Sequence, residues 1–421
     1  MTAIPDFKPI VLGSDINAYG MARSFHELTG GVVDLYARAP LAPTRFSKIV
    51  NVHLIPDFDS DPAFINGMKQ VAEANRDYPG KLLIIACGDT YAELVSKHKP
   101  ELSAHFICPY VDYDLLRRLN NKESFYQVCD EYDLPYPATK IVTKAMYESG
   151  VAISAPFEFP IALKPTNSVE WLNIHFEGRK KAFTIHSQVE LNDVIGKIYD
   201  NGYTSDIILQ DFIPGDDSNM RVLNAYVDQH HHVKMMCLGH PLLEDPTPAA
   251  IGNYVAILPE YNAGLYQRMQ KFLEDIKFTG FANFDMKYDR RDDTFKLFEI
   301  NIRQGRSSFF VTLNGYNLAQ WPMRDYIVGD LADAEPVYGN KDDSQHKLWL
   351  GVPKRVFKQY ARENAEKQTA LELIRQHRTG TTVFYDKDMN LKRWALMQYA
   401  FFGYIGRYKQ YFAENKGDTE N

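Results

Sequence analysis

Apolar runs and amphipathic stretches alternate along the start of the chain. Residues 9–13 (Pro-Ile-Val-Leu-Gly) read as a buried strand, followed by a turn and a helix over 18–28. Residues 31–36 predict a second strand and 48–55 hold a third. A helix near 62–75 then leads into 81–87 (Lys-Leu-Leu-Ile-Ile-Ala-Cys), the strongest strand signal of this region. Continuous apolar strands separated by helices predict a parallel sheet covered on both faces. Ligands of such sheets gather beyond the carboxyl ends of the strands, here near residues 13–19 and 88–91.

The texture changes near Asp112. Residues 113–132 read as helix, and Leu134-Pro135-Tyr136-Pro137 breaks the chain. Short strands are expected over 161–164, 182–186, 207–212, 220–227 and 233–238. Residues 281–288 and 294–301 read as two strands joined by a polar turn. Residues 332–344 read as a linker or exposed loop, and the remainder as helical and aromatic. The expected fold is α/β followed by α+β, divided into an N-terminal parallel α/β domain over 1–112, a second domain with antiparallel pairing over 113–331, and a basic, aromatic helical region over 345–412.

Composition narrows the function. With 45% hydrophobic and 24% charged residues the chain reads as an ordinary globular protein, and its formal net charge of -7 gives no overall pull toward nucleic acid. No stretch approaches the roughly 18 consecutive apolar residues of a membrane span, and residues 1–10 lack the pattern of a signal peptide. The four cysteines, Cys87, Cys108, Cys129 and Cys237, are scattered without CxxC spacing, which fits a reducing cytoplasm. Neither GxxxxGK[ST] nor GxGxxG is present, so P-loop and nicotinamide chemistry have little support.

The chemistry concentrates in Phe284-Asp285 and Leu297-Phe298-Glu299-Ile300-Asn301-Ile302-Arg303. Alternate side chains of a strand share a face, so Glu299, Asn301 and Arg303 point one way while Ile300 and Ile302 enter apolar packing. If the two strands pair, Asp285 joins Glu299 and Asn301. Two carboxylates and an amide oxygen are hard ligands of the kind Mg2+ accepts beside nucleotide phosphates. Arg303 offers a planar fork for a phosphate or a carboxylate. A solvent-facing edge strand with acids paired to lysines is the alternative, and it explains Asp285 alone better than it explains the whole constellation.

On these residues the chain resembles the ATP-grasp superfamily, from about Arg117 to Asn317. The resemblance implies a catalytic domain of two α+β subdomains holding ATP between them, with Asp285, Glu299 and Asn301 as ligands of two magnesium ions. Lys122, at the start of a helix before the Pro-Tyr-Pro turn, and Lys164 in Ile161-Ala162-Leu163-Lys164-Pro165 resemble the family's two phosphate-contacting lysines. Gln210-Asp211-Phe212-Ile213-Pro214-Gly215 resembles the linker whose backbone meets the adenine, with Asp216 the candidate for the ribose and Asp217 close behind. Asn167-Ser168-Val169-Glu170 stands where the family places a mobile phosphate-covering loop, without the usual glycines. Some family members carry an arginine two residues before the first metal acid; here that position is Asn283. Arg221 or Arg303 would then supply the positive charge, and both are expected to line the site. Arg306-Ser307-Ser308 follows the metal strand as a candidate for the acceptor carboxylate or acyl phosphate.

The activity this implies is an ADP-forming carbon–nitrogen ligation, in which a carboxylate is phosphorylated by ATP and the acyl phosphate meets an amine. Taken with residues 11–19, the 298–308 segment and the length, the pattern is most similar to ligases of Gram-positive bacteria that attach D-aspartate to the lysine side-chain amine of the UDP-MurNAc-pentapeptide precursor of peptidoglycan. A ligase for another amino acid, making a dipeptide or metabolite, is the alternative within enzymes. A non-catalytic ATP-binding module is the alternative outside them, disfavoured by the intact metal set.

The remaining candidates are weaker. Asp15, Asn17, Tyr19, Asp89 and Thr90 sit where an α/β sheet binds ligands, and substrate contact and helix capping are both open for them. His230-His231-His232 reads as a polar hairpin tip, since adjacent strand residues cannot all ligate one ion. Residues 345–411 hold 13 Lys/Arg against 5 Asp/Glu, interleaved with aromatics. Such a helix either packs on the catalytic domain with a solvated basic face or lies near an anionic membrane or substrate.

Overall fold

A computed structural model of the chain describes residues 5–416, apart from 168, 169, 172, 181, 249 and 251. Three sheets organise it. The first is parallel and runs β3-β2-β1-β4, with β1 Phe7–Leu12, β2 Val33–Ala37, β3 Val50–Leu54 and β4 Lys81–Ala86. The first crossover is the helix Ile16–Thr29, started by Asp15, whose side chain accepts from the Ala18 N–H at 3.0 Å. Gly30 ends it in the left-handed region at φ 71°, where its missing Cβ removes the steric cost.

The second sheet is small and antiparallel, in the order β5-β8-β6-β7: β5 Thr139–Val142, β6 Ile161–Pro165, β7 Phe183–Ile185 and β8 Ile207–Asp211. Helix Gln188–Asp200 closes it through Leu191, Ile195 and Ile198, which share a buried cluster with Ile161, Leu163 and Leu209.

The third sheet has eight strands. Its path is β13-β12-β9-β10-β11-β15-β16, with β14 on a branch beside β10. These are β9 Met220–Val227, β10 Val233–Glu244, β11 Tyr254–Glu260, β12 Gly280–Asp289, β13 Thr294–Asn301, β14 Val337–Tyr338, β15 Leu348–Leu350 and β16 Thr379–Gly380. One face, with Leu223, Phe284, Met286, Leu297 and Ile300, packs on helices Tyr113–Asn120 and Lys122–Glu131. On the other face Val222, Tyr226 and Phe281 meet Tyr19, Ala22 and Phe25 of the first crossover helix. That contact brings the carboxyl ends of the parallel strands up to the large sheet.

Three expectations change, while 230–232 forms the polar hairpin tip between β9 and β10. Residues 113–132 form two helices, because Asn121 leaves helical geometry (ψ 125°) and caps the second through the Ser124 N–H. The stretch 332–344 is more than a linker, since β14 pairs in parallel with Met235 and Met236 of β10. The region after 345 adds β15 and β16 to the sheet before its helices begin. The turn at 230–232 is organised by Asp228, whose carboxylate accepts the N–H groups of His230 and His232 at 2.9 Å each, and His231 sits at φ 67°.

Candidate active site

β12 and β13 pair antiparallel with Asn283 opposite Asn301 and Asp285 opposite Glu299. The register then slips, so that Met286 faces Leu297 and Phe298 is the extra residue of a β-bulge. Leu297 and Ile300, three residues apart, therefore both reach the apolar core, while Glu299, Asn301 and Arg303 keep the other face. The Lys164 ammonium from β6 lies over the Phe298 ring, 4.9 Å from its centroid, and donates to Gln210 Oε1 at 3.3 Å. The bulge thus links the small sheet to the large one.

A cleft of about 290 Å³ opens on the Asp285 side, with Glu299, Asn301, Arg303, Arg306, Ser307 and Asp89 among its lining residues. Asp285 is pushed well above the ordinary carboxylate range, first by burial and then by the charge of Glu299, to which it is hydrogen-bonded. Two carboxylates in contact repel unless a proton or a cation lies between them. Among the described residues no three acids, histidines or cysteines cluster around one point. The donor set here is two acids and the Asn301 amide, hard oxygen ligands that fit a magnesium ion keeping several of its waters.

Arg303 spans the cleft wall. Its Nε donates to Asp89 Oδ1 at 2.7 Å and its Nη1 to the Gln304 carbonyl at 3.1 Å. Its pKa is raised: burial opposes the charge, and Asp89, Asp285 and Glu299 more than offset it. Arg306 is exposed at the mouth of the same cleft. Asp89 also lines a second cavity of about 240 Å³ at the carboxyl ends of β1, β2 and β4, together with Gly13, Asp15, Arg38, Leu41 and Cys87. Asp15 is raised by burial against the opposing pull of Arg306 and Arg303. Asn17 and Tyr19 take structural partners: Asn17 donates to the Gln304 carbonyl at 3.0 Å, and the Tyr19 hydroxyl donates to Asp388 at 2.7 Å.

At the end of β8 Gln210 is buried and donates to the Tyr126 hydroxyl at 2.8 Å. Asp211 pairs with Arg291 at 2.5 Å. Lys287 lies over the Phe212 ring at 5.3 Å and donates to the carbonyls of Ile213 and Gly215 at 2.8 and 2.7 Å. Burial lowers Lys287 to about 8, partly offset by Asp217. Lys122 stands at the first turn of its helix. Glu170 is held by Thr204 and Ser205, its Oε1 accepting from Thr204 Oγ1 at 2.7 Å; Ser168 and Val169 lie outside the described residues.

Two candidates are placed otherwise than the sequence suggests. Arg221 does not line the cleft: it pairs with Glu260 at 2.5 Å beside His240, whose Nδ1 is 3.1 Å from the same carboxylate. Its neighbour Val222 takes the cleft face, because β9 meets Asp285 at residue 222. Asp216 is engaged by Ser218 and by Arg362 from the C-terminal region; burial would raise it, but these bonds hold it below the ordinary range.

Sequence reading missed Asn224, Tyr254 and Gly305. Asn224, Asn283 and Asn301 stand side by side on three neighbouring strands, linked at 3.4 Å between successive side chains. The Ser308 hydroxyl donates to Asn224 and accepts the Gly305 N–H at 2.6 Å. A Cβ on Gly305 would come within 2.9 Å of the Asn283 amide, so glycine lets the chain after β13 fold over this row. Tyr254 is buried and hydrogen-bonded to Asp285. None of these pairings has a local sequence signal, since each depends on which strands become neighbours.

A split sheet pair joined at a lysine, with paired acids on a two-stranded edge and a parallel domain docked beside it, is the architecture of ATP-grasp carbon–nitrogen ligases. The chain is 59% identical over 414 residues to the D-aspartate ligase of Enterococcus faecium (strain Aus0004), covering 98% of each protein. It belongs to the D-aspartate ligase family, and it is an ATP-dependent, amide-forming ligase. No family model matches the chain. Among solved structures, the L-amino acid ligase from Bacillus licheniformis superposes with a TM-score of 0.54 at 13% identity, covering 80% of this chain and 79% of that one. The ADP complex of N5-carboxyaminoimidazole ribonucleotide synthetase gives 0.55 at 14%, covering 79% and 80%. The biotin carboxylase domain of Hydrogenobacter thermophilus 2-oxoglutarate carboxylase, bound to MgADP, gives 0.58 at 10%, covering 79% and 72%. These likenesses concern the fold.

Proposed function

We propose that the chain activates the carboxylate of D-aspartate with ATP and magnesium and transfers the acyl group to a lysine side-chain amine of the UDP-linked peptidoglycan precursor. The 59% identity across 98% of both chains carries the substrate reading. The working units are residues 1–112, 113–331 and 345–412, with reaction at the cleft where the first two meet. Asp285, Glu299 and Asn301 would hold magnesium, which supplies charge neutralisation to the phosphates. Lys122 and Lys164 face the phosphates, and the backbone at 210–213 the adenine. With Asp216 tied to Arg362, Asp217 is the ribose candidate.

Within this reading the chain's own residues position and neutralise. Arg303 and Arg306 flank the acids, so one guanidinium can clasp the second carboxylate of aspartate while the first is phosphorylated. The second cavity, which shares Asp89 with the cleft, receives the acceptor. Closure of the small sheet over the phosphates keeps water from the acyl phosphate. The four cysteines are unpaired and buried, which fits a cytoplasmic enzyme. Turnover with D-aspartate, L-aspartate, D-asparagine and D-alanine, under the same ATP and acceptor, tests the substrate. D-aspartate should lead by at least about tenfold, the worth of one charge-assisted contact. Equal rates for D-alanine and D-aspartate would remove the second carboxylate from the account.

A further inference from the structure

No helix among the described residues is long and apolar enough to cross a membrane. The last helix, Leu391–Lys416, nevertheless leaves one side uncovered. Arg393, Met397 and Tyr408 are buried, whereas Leu391 is 80% exposed, Trp394 49%, Tyr399 81% and Phe402 55%. At 3.6 residues per turn Leu391, Ala395, Phe402 and Lys409 lie along one side, with Trp394 and Tyr399 flanking it. The loop at 41–46 extends this surface. Arg393 donates to the carbonyls of Pro43 and Arg45 at 2.8 and 3.1 Å, and Asn390 to that of Phe46 at 2.7 Å. Leu41 and Phe46 are 47% and 51% exposed, and Phe46 sits at φ 58°, a costly conformation for a bulky residue. Packing that holds an aromatic outward at such a φ is working against burial.

The charge around this patch is mainly basic. Residues 391–412 contain four Lys/Arg and no Asp/Glu, in a chain of net charge -7. Lys392, Arg407 and Lys409 are exposed on the helix, and Arg45 and Lys48 on the loop. Asp386 is exposed nearby and is followed in the chain by exposed Lys387. Exposed Trp, Tyr, Phe and Leu rimmed by basic side chains match an interface of acyl chains under anionic headgroups. Pairing of this face with a second copy would set its like charges against each other.

We propose that this face docks the enzyme on an anionic lipid surface, an interaction separate from the ligase chemistry. Leu41 also lines the second cavity, so docking would hold that cavity's mouth beside the lipid. Trp394 is the natural probe, because Trp171, Trp321 and Trp349 are buried. The full chain is mixed with vesicles of phosphatidylglycerol and phosphatidylcholine in equal parts, or of phosphatidylcholine alone. Flotation and a blue shift of tryptophan emission are expected with the first only, reversed by salt. The shift should vanish in Trp394→Phe while flotation largely persists. Tyr399→Ser with Phe402→Ser should abolish flotation and leave ATP turnover unchanged. Should that variant misfold, Lys392→Glu with Arg407→Glu and Lys409→Glu tests the same face. Each lost basic residue is worth about fivefold near such a surface, so binding should fall by about a hundredfold or more. No flotation with anionic vesicles, equal binding to both vesicle types, or a dimer that the Tyr399/Phe402 variant dissolves would each overturn the proposal.

Discussion

At one end of the β12–β13 hairpin Asp289 is buried between Arg291 and Lys296, its oxygens accepting from Arg291 Nε at 2.9 Å and Lys296 Nζ at 2.6 Å. Four residues along the same strand, half-buried Asp285 faces Glu299. The first acid is held far below the ordinary carboxylate range, chiefly by Arg291, and the second is driven far above it by burial and its acidic neighbour. The strand and residue type are the same, Asp289 being buried and Asp285 half-buried, and the partners differ. An acid with its cations in place holds the fold together. An acid facing another acid costs stability until something positive arrives, and a ligase cleft can use that unsatisfied demand.

The comparison predicts opposite responses to removing a charge. Glu299→Gln should keep β13 and its melting temperature, or raise the latter, by relieving the repulsion. Turnover should fall on the order of 10³-fold, several kcal/mol of lost charge stabilisation. Asp289→Asn should destabilise by roughly 3 kcal/mol, the low end for breaking a buried pair because Arg291 is half-exposed. Its turnover per folded molecule should stay near wild type. Chemical denaturation and phosphate release measure both, and a Glu299 variant that turns over within a few-fold of wild type would dissolve the contrast.

Acidity sharpens the same difference. Asp285 is raised on folding, so the metal-free protein binds a proton that the unfolded chain releases, and stability falls as pH rises above the ordinary carboxylate range. Asp289 is lowered, so its contribution is present above that range and lost as pH falls. With a chelator, the melting temperature should decline between about pH 5 and about pH 9, and magnesium should restore it most at the alkaline end. Asp289→Asn should leave that alkaline loss intact and weaken the acid-side one. A smaller effect concerns Arg306. Arg306→Lys keeps the charge and loses the fork, so apparent affinity for aspartate should drop about tenfold with ATP affinity unchanged.

Parts of this were legible in the sequence because strands have period two. The alternation at 299, 301 and 303 places those residues on one face, as found. The bulge at Phe298 was not legible, because it arises only once β12 and β13 are in register. The Arg221–Glu260 pair was not legible because β11 was not read as a strand, and the partner on it decides where the guanidinium goes. Asp89 and Arg303 are 214 residues apart, and nothing local announces that pairing. β15 and β16, three and two residues long, are too short to show a pattern.

The proposed reaction is attack by a substrate carboxylate at the γ-phosphate in the Asp285–Glu299 cleft. Purified protein with ATP, magnesium, D-aspartate and hydroxylamine in place of the acceptor tests this directly. Aspartyl hydroxamate should accumulate in step with ADP and inorganic phosphate, and neither should form with Glu299→Gln. Release of AMP and pyrophosphate, or ADP without hydroxamate, would contradict it.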